Sequence, residues 1–197
     1  MAQFPRQPNL EAQRAAMAKL AFLVGRWEGE ARIYRGPGEP ATAATATILA
    51  MTEEAQYRLD GLILMIEGIG RTMADDRPFN VDPGRPTAAT GKGTGRRQDA
   101  GGTKMGKPAL QAIGFISYAD AACSYYLRSF NEGRFLETEV KLGDDGKSLT
   151  WGFTLEHIQT SSVLRINARG EWTEEHEITI GEQPARRFME VVVRRVG

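Results

Sequence analysis

Two histidines, one cysteine and a scatter of carboxylates and phenols are the groups in this 197-residue chain that could do chemistry. His157 follows Trp151, Phe153 and Leu155 at every second position, and His176 follows Trp172 and Glu174 in the same way. A spacing of two puts such residues on one face of a strand. If the tryptophan-bearing faces look into a core, each imidazole sits among aromatics, where it could act as general base, metal ligand or polar anchor. A hydrogen-bonded histidine at the rim of a sheet is the plainer role for either. Glu67 and Glu190 interrupt apolar stretches and are candidates for internal carboxylates. His157, His176 and Glu190 are therefore the candidates for acid–base catalysis, although no motif assigns a catalytic residue.

Contacts to a bound molecule are expected from Tyr57, Tyr125, Trp151, Phe153, His157, Trp172 and His176. Tyr125 and Tyr126 are adjacent and point to opposite faces, so at most one is internal. Glu137 and Glu139 share a face with Lys141, opposite Leu136, Thr138, Val140 and Leu142, and read as a solvated face and not as a glycosidase pair. Ile180 stands where a zinc protease would need its second histidine after His176-Glu177, and no other spacing suits a metal. Gly91 to Gly95 fails as a Walker loop, because Pro86 replaces its first glycine and Gly93 follows Lys92. Ser161-Ser162 reads as a turn without a nucleophile elbow. No cofactor and no metal is implied by these residues.

The 25 basic and 25 acidic residues cancel, giving no electrostatic case for nucleic acid or an anionic membrane. The lone Cys123 leaves no intrachain disulfide. Arg6, Glu11, Arg14 and Lys19 break any apolar signal core, and no apolar run reaches the ~20 residues that span a bilayer. A cytoplasmic protein of one domain over 1–197 is expected, with a small hydrophobic molecule as partner and a homodimer as a further option.

The elements that must position these residues follow from periodicity. Pro5 and Pro8 mark a loose leader. Asn9 caps a helix over 9–24 whose apolar stripe is Leu10, Met17, Leu20, Ala21 and Val24, and Gly25 ends it. From Arg26 the period becomes two: Trp27, Gly29, Ala31 and Ile33 alternate with Arg26, Glu28, Glu30 and Arg32. Gly36-Pro37-Gly38 turns the chain, and strands are expected over 41–51, 54–59 and 62–71, the last two joined at Asp60-Gly61. Further strands are expected over 122–130, 134–142, 148–158, 162–169, 171–180 and 186–196. Roughly nine or ten strands without interleaved helices predict an all-β, up-and-down antiparallel barrel, its N-terminal helix closing one end. Residues 72–109, rich in proline and glycine, read as a long flexible loop or lid. Its cations (Arg77, Arg85, Lys92, Arg96, Arg97, Lys104 and Lys107) would favour an acidic ligand at the barrel mouth.

Leu20 through Glu30, a helix passing into a strand through Gly25-Arg26-Trp27, resembles the opening of calycin β-barrels: lipocalins, fatty-acid-binding proteins and bacterial lipocalin-like domains of unknown function. The likeness to the last group extends through Gly114-Phe115, Tyr118, Asp145 to Trp151, and Phe188 to Val191. It implies a calycin-like fold in which a basic side chain of the last strand covers Trp27. Strand parity favours Arg195, with Arg194 as the alternative. It implies no activity. Nitrobindin-type haem barrels share the opening at Leu20 to Trp27, which makes haem binding an alternative, but they place an axial histidine late in the chain, and none follows His176 here. Binding of a small hydrophobic or amphipathic molecule in the barrel leads. An isomerase, cyclase or hydratase using cavity acids and bases is the alternative of a different class, and self-association ranks third.

Overall fold

The computed structural model describes residues 7–34, 46–73, 105–131 and 133–197. Helix α1 (Leu10–Ala18) and a short 3-10 turn (Ala21–Leu23) precede ten strands. These are β1 (Gly25–Tyr34), β2 (Ala46–Arg58), β3 (Ile63–Met73), β4 (Met105–Ala119) and β5 (Ser124–Asn131), followed by β6 (Arg134–Leu142), β7 (Ser148–Leu155), β8 (Ile158–Ile166), β9 (Trp172–Ile180) and β10 (Arg186–Val196). Each strand pairs antiparallel with its sequence neighbours, and β1 pairs with β10 to close the barrel. The expected all-β, up-and-down barrel is what forms.

Asn9 caps α1 by accepting from the Ala12 N–H. The expected single helix is split after Ala18, because the chain must turn Leu20 and Leu23 down onto the barrel end before β1 begins. The buried set is Ala16, Met17, Leu20 and Leu23, whereas Leu10 of the expected stripe is exposed. Gly25, at φ +137°, makes the passage from helix to strand. The helix is tied down by polar contacts as well. Tyr57 Oη donates to the Met17 carbonyl at 2.6 Å and Tyr125 Oη to the Ala16 carbonyl at 2.7 Å, while Arg14 pairs with Asp60.

Trp27 is fully buried at this closed end, its Nε1 donating to the Leu23 carbonyl at 2.8 Å and its ring edge-on to Trp172 at 5.5 Å. Arg195 lies 4.4 Å above the Trp27 ring and donates to the Val24 and Phe22 carbonyls. One guanidinium thus fills the parity-favoured position and satisfies carbonyls that the helix end leaves open.

Several strand limits depart from expectation. Residues 46–58 form one strand, where a break near Thr52-Glu53 was expected. The hairpin after Trp151 turns at Glu156-His157, with Glu156 at φ +53°, so β8 starts at Ile158 and not at 162. β3 runs to Met73 and β4 starts at Met105, shortening the expected 72–109 loop from both ends. Residues 74–104 of the expected lid, with all its cations but Lys107 and the glycine run at 91–95, fall outside the described residues, as do the leader residues 1–6 and the turn at 36–38. Lys107 is an exposed residue of β4 and not part of a loop.

The wall is uneven. β6 and β7 pair only at Lys141–Thr150 and Leu142–Leu149, next to the hairpin that joins them. Farther along, Thr138 Oγ1 bridges the seam by donating to the Gly152 carbonyl at 2.7 Å.

Candidate functional site

Alternation on β2, β8 and β9 sends an unusual set of polar side chains into the barrel. Met51, Glu53 and Ala55 are the buried positions along the middle of β2, so Glu53 points inward where an apolar residue would ordinarily sit. On β9, Trp172, Glu174 and His176 share the inner face, and Ser162 of β8 lies directly across the ladder from His176.

These groups form a continuous chain. Ser162 Oγ lies 2.9 Å from His176 Nδ1, His176 Nε2 lies 2.8 Å from Glu174 Oε2, and Trp172 Nε1 donates to Glu174 Oε1 at 2.8 Å. A carboxylate only accepts, so Nε2 carries a proton, and in the neutral ring Nδ1 accepts from the serine hydroxyl. Around it the His176 ring meets Trp151 edge-on at 6.0 Å and Phe188 at 5.8 Å. The register of β10 on β9 shifts between Arg187 and Met189, which leaves Phe188 as the extra residue of a bulge beside the imidazole.

Glu53 completes the cluster without joining the chain. It is buried, accepts and donates no hydrogen bond among the described residues, and fits only because Gly68 faces it from β3. A Cβ at position 68 would stand 2.8 Å from Glu53 Oε1. Burial first, and then the like charge of Glu174, push the Glu53 carboxyl well above its ordinary value. The site therefore holds a neutral acid beside a hydrogen-bonded carboxylate.

Trp151, Phe153 and Leu127 on inner faces are only partly buried, and the Glu174 side chain keeps 13% of its exposure. By contrast, Tyr57 and Tyr125 spend their hydroxyls on the helix, so they plug the closed end and offer no free phenol.

The remaining candidates lie elsewhere. His157 is in the β7–β8 turn, 64% exposed and 3.9 Å from Glu156, because the chain reverses before the alternation that was to carry it inward can continue. Glu190 faces outward on β10, bound by Tyr34 Oη and Arg187. Burial alone would raise its carboxyl, but the hydrogen bonds from Tyr34 and Arg187 outweigh this and hold it low. Glu67 is exposed on β3. Neither is an internal carboxylate. Ser162, expected in a turn, is a buried strand residue. Glu53 went unnoticed because the strand was broken just before it; unbroken alternation back from Tyr57 and Ala55 would have placed it inside.

Among the described residues no group of three or more His, Cys, Asp or Glu is arranged to hold a metal ion. Haem iron finds no free histidine nitrogen there either, since both nitrogens of His176 are engaged and His157 is outside the barrel. The Ser162–His176–Glu174 order matches a nucleophile, base and orienter. Its serine nevertheless sits in mid-ladder between β7 and β9, where backbone N–H groups pair with neighbouring strands and form no oxyanion hole.

No family model and no curated protein matches the sequence. Among solved structures, the chain is similar to the crystal structure of Rv2717c from M. tuberculosis, with a TM-score of 0.59, 14% sequence identity, and coverage of 92% of this chain and 98% of that one. A likeness at that identity extends to the fold.

Proposed function

We propose that the protein binds a small amphipathic molecule inside the barrel, with its polar end at Glu53, Glu174, His176 and Ser162 and its apolar part along Trp151 and Phe153. The observation that carries this reading is Glu53, an inward-facing carboxyl with no hydrogen-bond partner among the described residues, which a ligand polar group would supply. The calycin resemblance at Gly25-Arg26-Trp27 and the ten-strand barrel support it, since barrels of this size can enclose one ligand among apolar walls. Titration with environment-sensitive fluorophores, followed by dye displacement with metabolite fractions, tests the reading. Dye uptake that Glu53→Gln or Trp151→Ala alters is expected. Dye binding indifferent to both changes would sink it.

A second reading is acid–base catalysis on the bound molecule, as in an isomerase, cyclase or hydratase. It is favoured by Glu53, whose carboxyl burial pushes up, on an inner face with a second glutamate that is hydrogen-bonded to a histidine. Once a ligand is known, Glu53→Gln should abolish turnover even at ligand concentrations that saturate the variant. Retained turnover would rule out Glu53 as the acid or base, and absence of turnover in the wild type would leave binding as the whole function.

A further inference from the structure

Building on the interior binding site, we propose that its ligand is an amphipathic amine, whose protonated nitrogen sits between the Glu53 and Glu174 carboxyls and whose apolar part runs along Trp151 and Phe153. The argument begins with what the interior lacks. Over Trp27–Ala31, Leu64–Gly70, Ser162–Ile166 and Met189–Val193, the inward positions of the strands flanking the two glutamates hold no lysine or arginine. The groups facing Glu53 are Trp27 across the β1 ladder, Gly68 across the β3 ladder, and Glu174, with His176 hydrogen-bonded behind it. Arg195, over the Trp27 ring, spends its guanidinium on the Val24 and Phe22 carbonyls.

Two acidic side chains thus face an interior in which those inward positions of the described residues supply no lysine or arginine. An ammonium group offers donors to both carboxyls and lets Glu53 ionise without unbalanced repulsion, whereas a carboxylate ligand would bring a further negative charge beside Glu174. A neutral hydroxyl could accept from the Glu53 acid but would bring no charge to set against Glu174, whose present partners are Trp172 Nε1 and His176 Nε2. Burial also makes Glu53 a proton store: binding an ammonium group displaces its proton, so affinity for an amine rises with pH as Glu53 ionises more readily.

The test uses octylamine, octanol and octanoate on the full chain, read by tryptophan emission and by calorimetry in buffers of different ionisation enthalpy. Octylamine is expected to bind at least about tenfold more tightly than octanol, with octanoate weakest. Its binding should release protons and strengthen with rising pH. Glu53→Gln should remove the amine preference and the proton release while octanol binding persists. If that variant does not fold, Glu174→Gln provides the same comparison, and the wild-type pH series and proton count need no variant. Octanol or octanoate binding as tightly as octylamine would overturn the amine assignment and leave interior binding standing. Failure of all three probes to bind would overturn both.

Discussion

The Arg195 guanidinium lies over Trp27 and closes two carbonyls at the helix end, so its removal loses a cation–π contact and two charge-assisted hydrogen bonds together. Because the side chain is partly in solvent, Arg195→Ala is expected to cost about 1–2 kcal/mol of unfolding free energy in urea titrations. Arg195→Lys should restore less than half, since an ammonium cannot reach both carbonyls and also stack. Glu53 makes a pH-dependent contribution. Its carboxyl is raised in the fold by burial and by Glu174, from an ordinary value of 4.5. The folded protein then holds a proton that the unfolded chain has released. This contribution is full below about pH 4.5 and is lost as pH climbs through the folded value. Glu53→Gln should therefore gain on the wild type as pH increases, read from denaturation midpoints across a pH series. Parallel curves would show that Glu53 is not buried as an acid.

At the scale of the strand pair, Glu53 on β2 and Gly68 on β3 fit as one unit. Gly68→Ala pushes a methyl group to 2.8 Å from Glu53 Oε1 and should destabilise by roughly 1–3 kcal/mol. Pairing it with Glu53→Ala should recover most of that loss, giving a double-mutant coupling that additive effects could not produce. The same pair shows how far the sequence could be read. Alternation from Trp27 and along β10 was legible because those inward runs are unbroken and mostly apolar or aromatic, and β9 was legible because Trp172, Ile178 and Ile180 frame its polar pair. A charged residue in the middle of β2 broke the pattern at Thr52-Glu53 and hid both the continuous strand and the site's acid. The β7–β8 turn was illegible for the opposite reason. Leu155 carries the alternation up to the point where the chain reverses, and His157 extends it in sequence past that point. Only the left-handed conformation at Glu156, a residue with no turn signature, shows the reversal. His176 was legible as a candidate through its spacing from Trp172, but its partner Ser162 is on the adjacent strand, in a cross-strand register set by the turn closed between Asn167 and Glu171.

Across the whole molecule, the barrel is sealed by helix, tryptophans and Arg195 at one end, while the β6–β7 seam is held by two residue pairs and the Thr138 bridge. Hydrogen exchange should be fastest, among the central parts of strands, along the seam-facing amides of β6 beyond Lys141 and of β7 beyond Trp151. Thr138→Val should accelerate it further without altering protection in β2 and β3. Uniform protection around the barrel would contradict a weak seam. The pairing of β1 with β10 has a different consequence, for the order in which the protein can be made. Arg195 reaches the Val24 carbonyl across a sequence separation of 171 residues. During synthesis Trp27 and the first strand therefore emerge long before their partner exists, and the ring cannot close until β10 has left the ribosome. Until then β1 has a free edge and Trp27 lacks its cover. The nascent chain should consequently depend on holding factors more than its finished stability suggests, and stalled chains ending before Arg186 should remain protease-sensitive at β1.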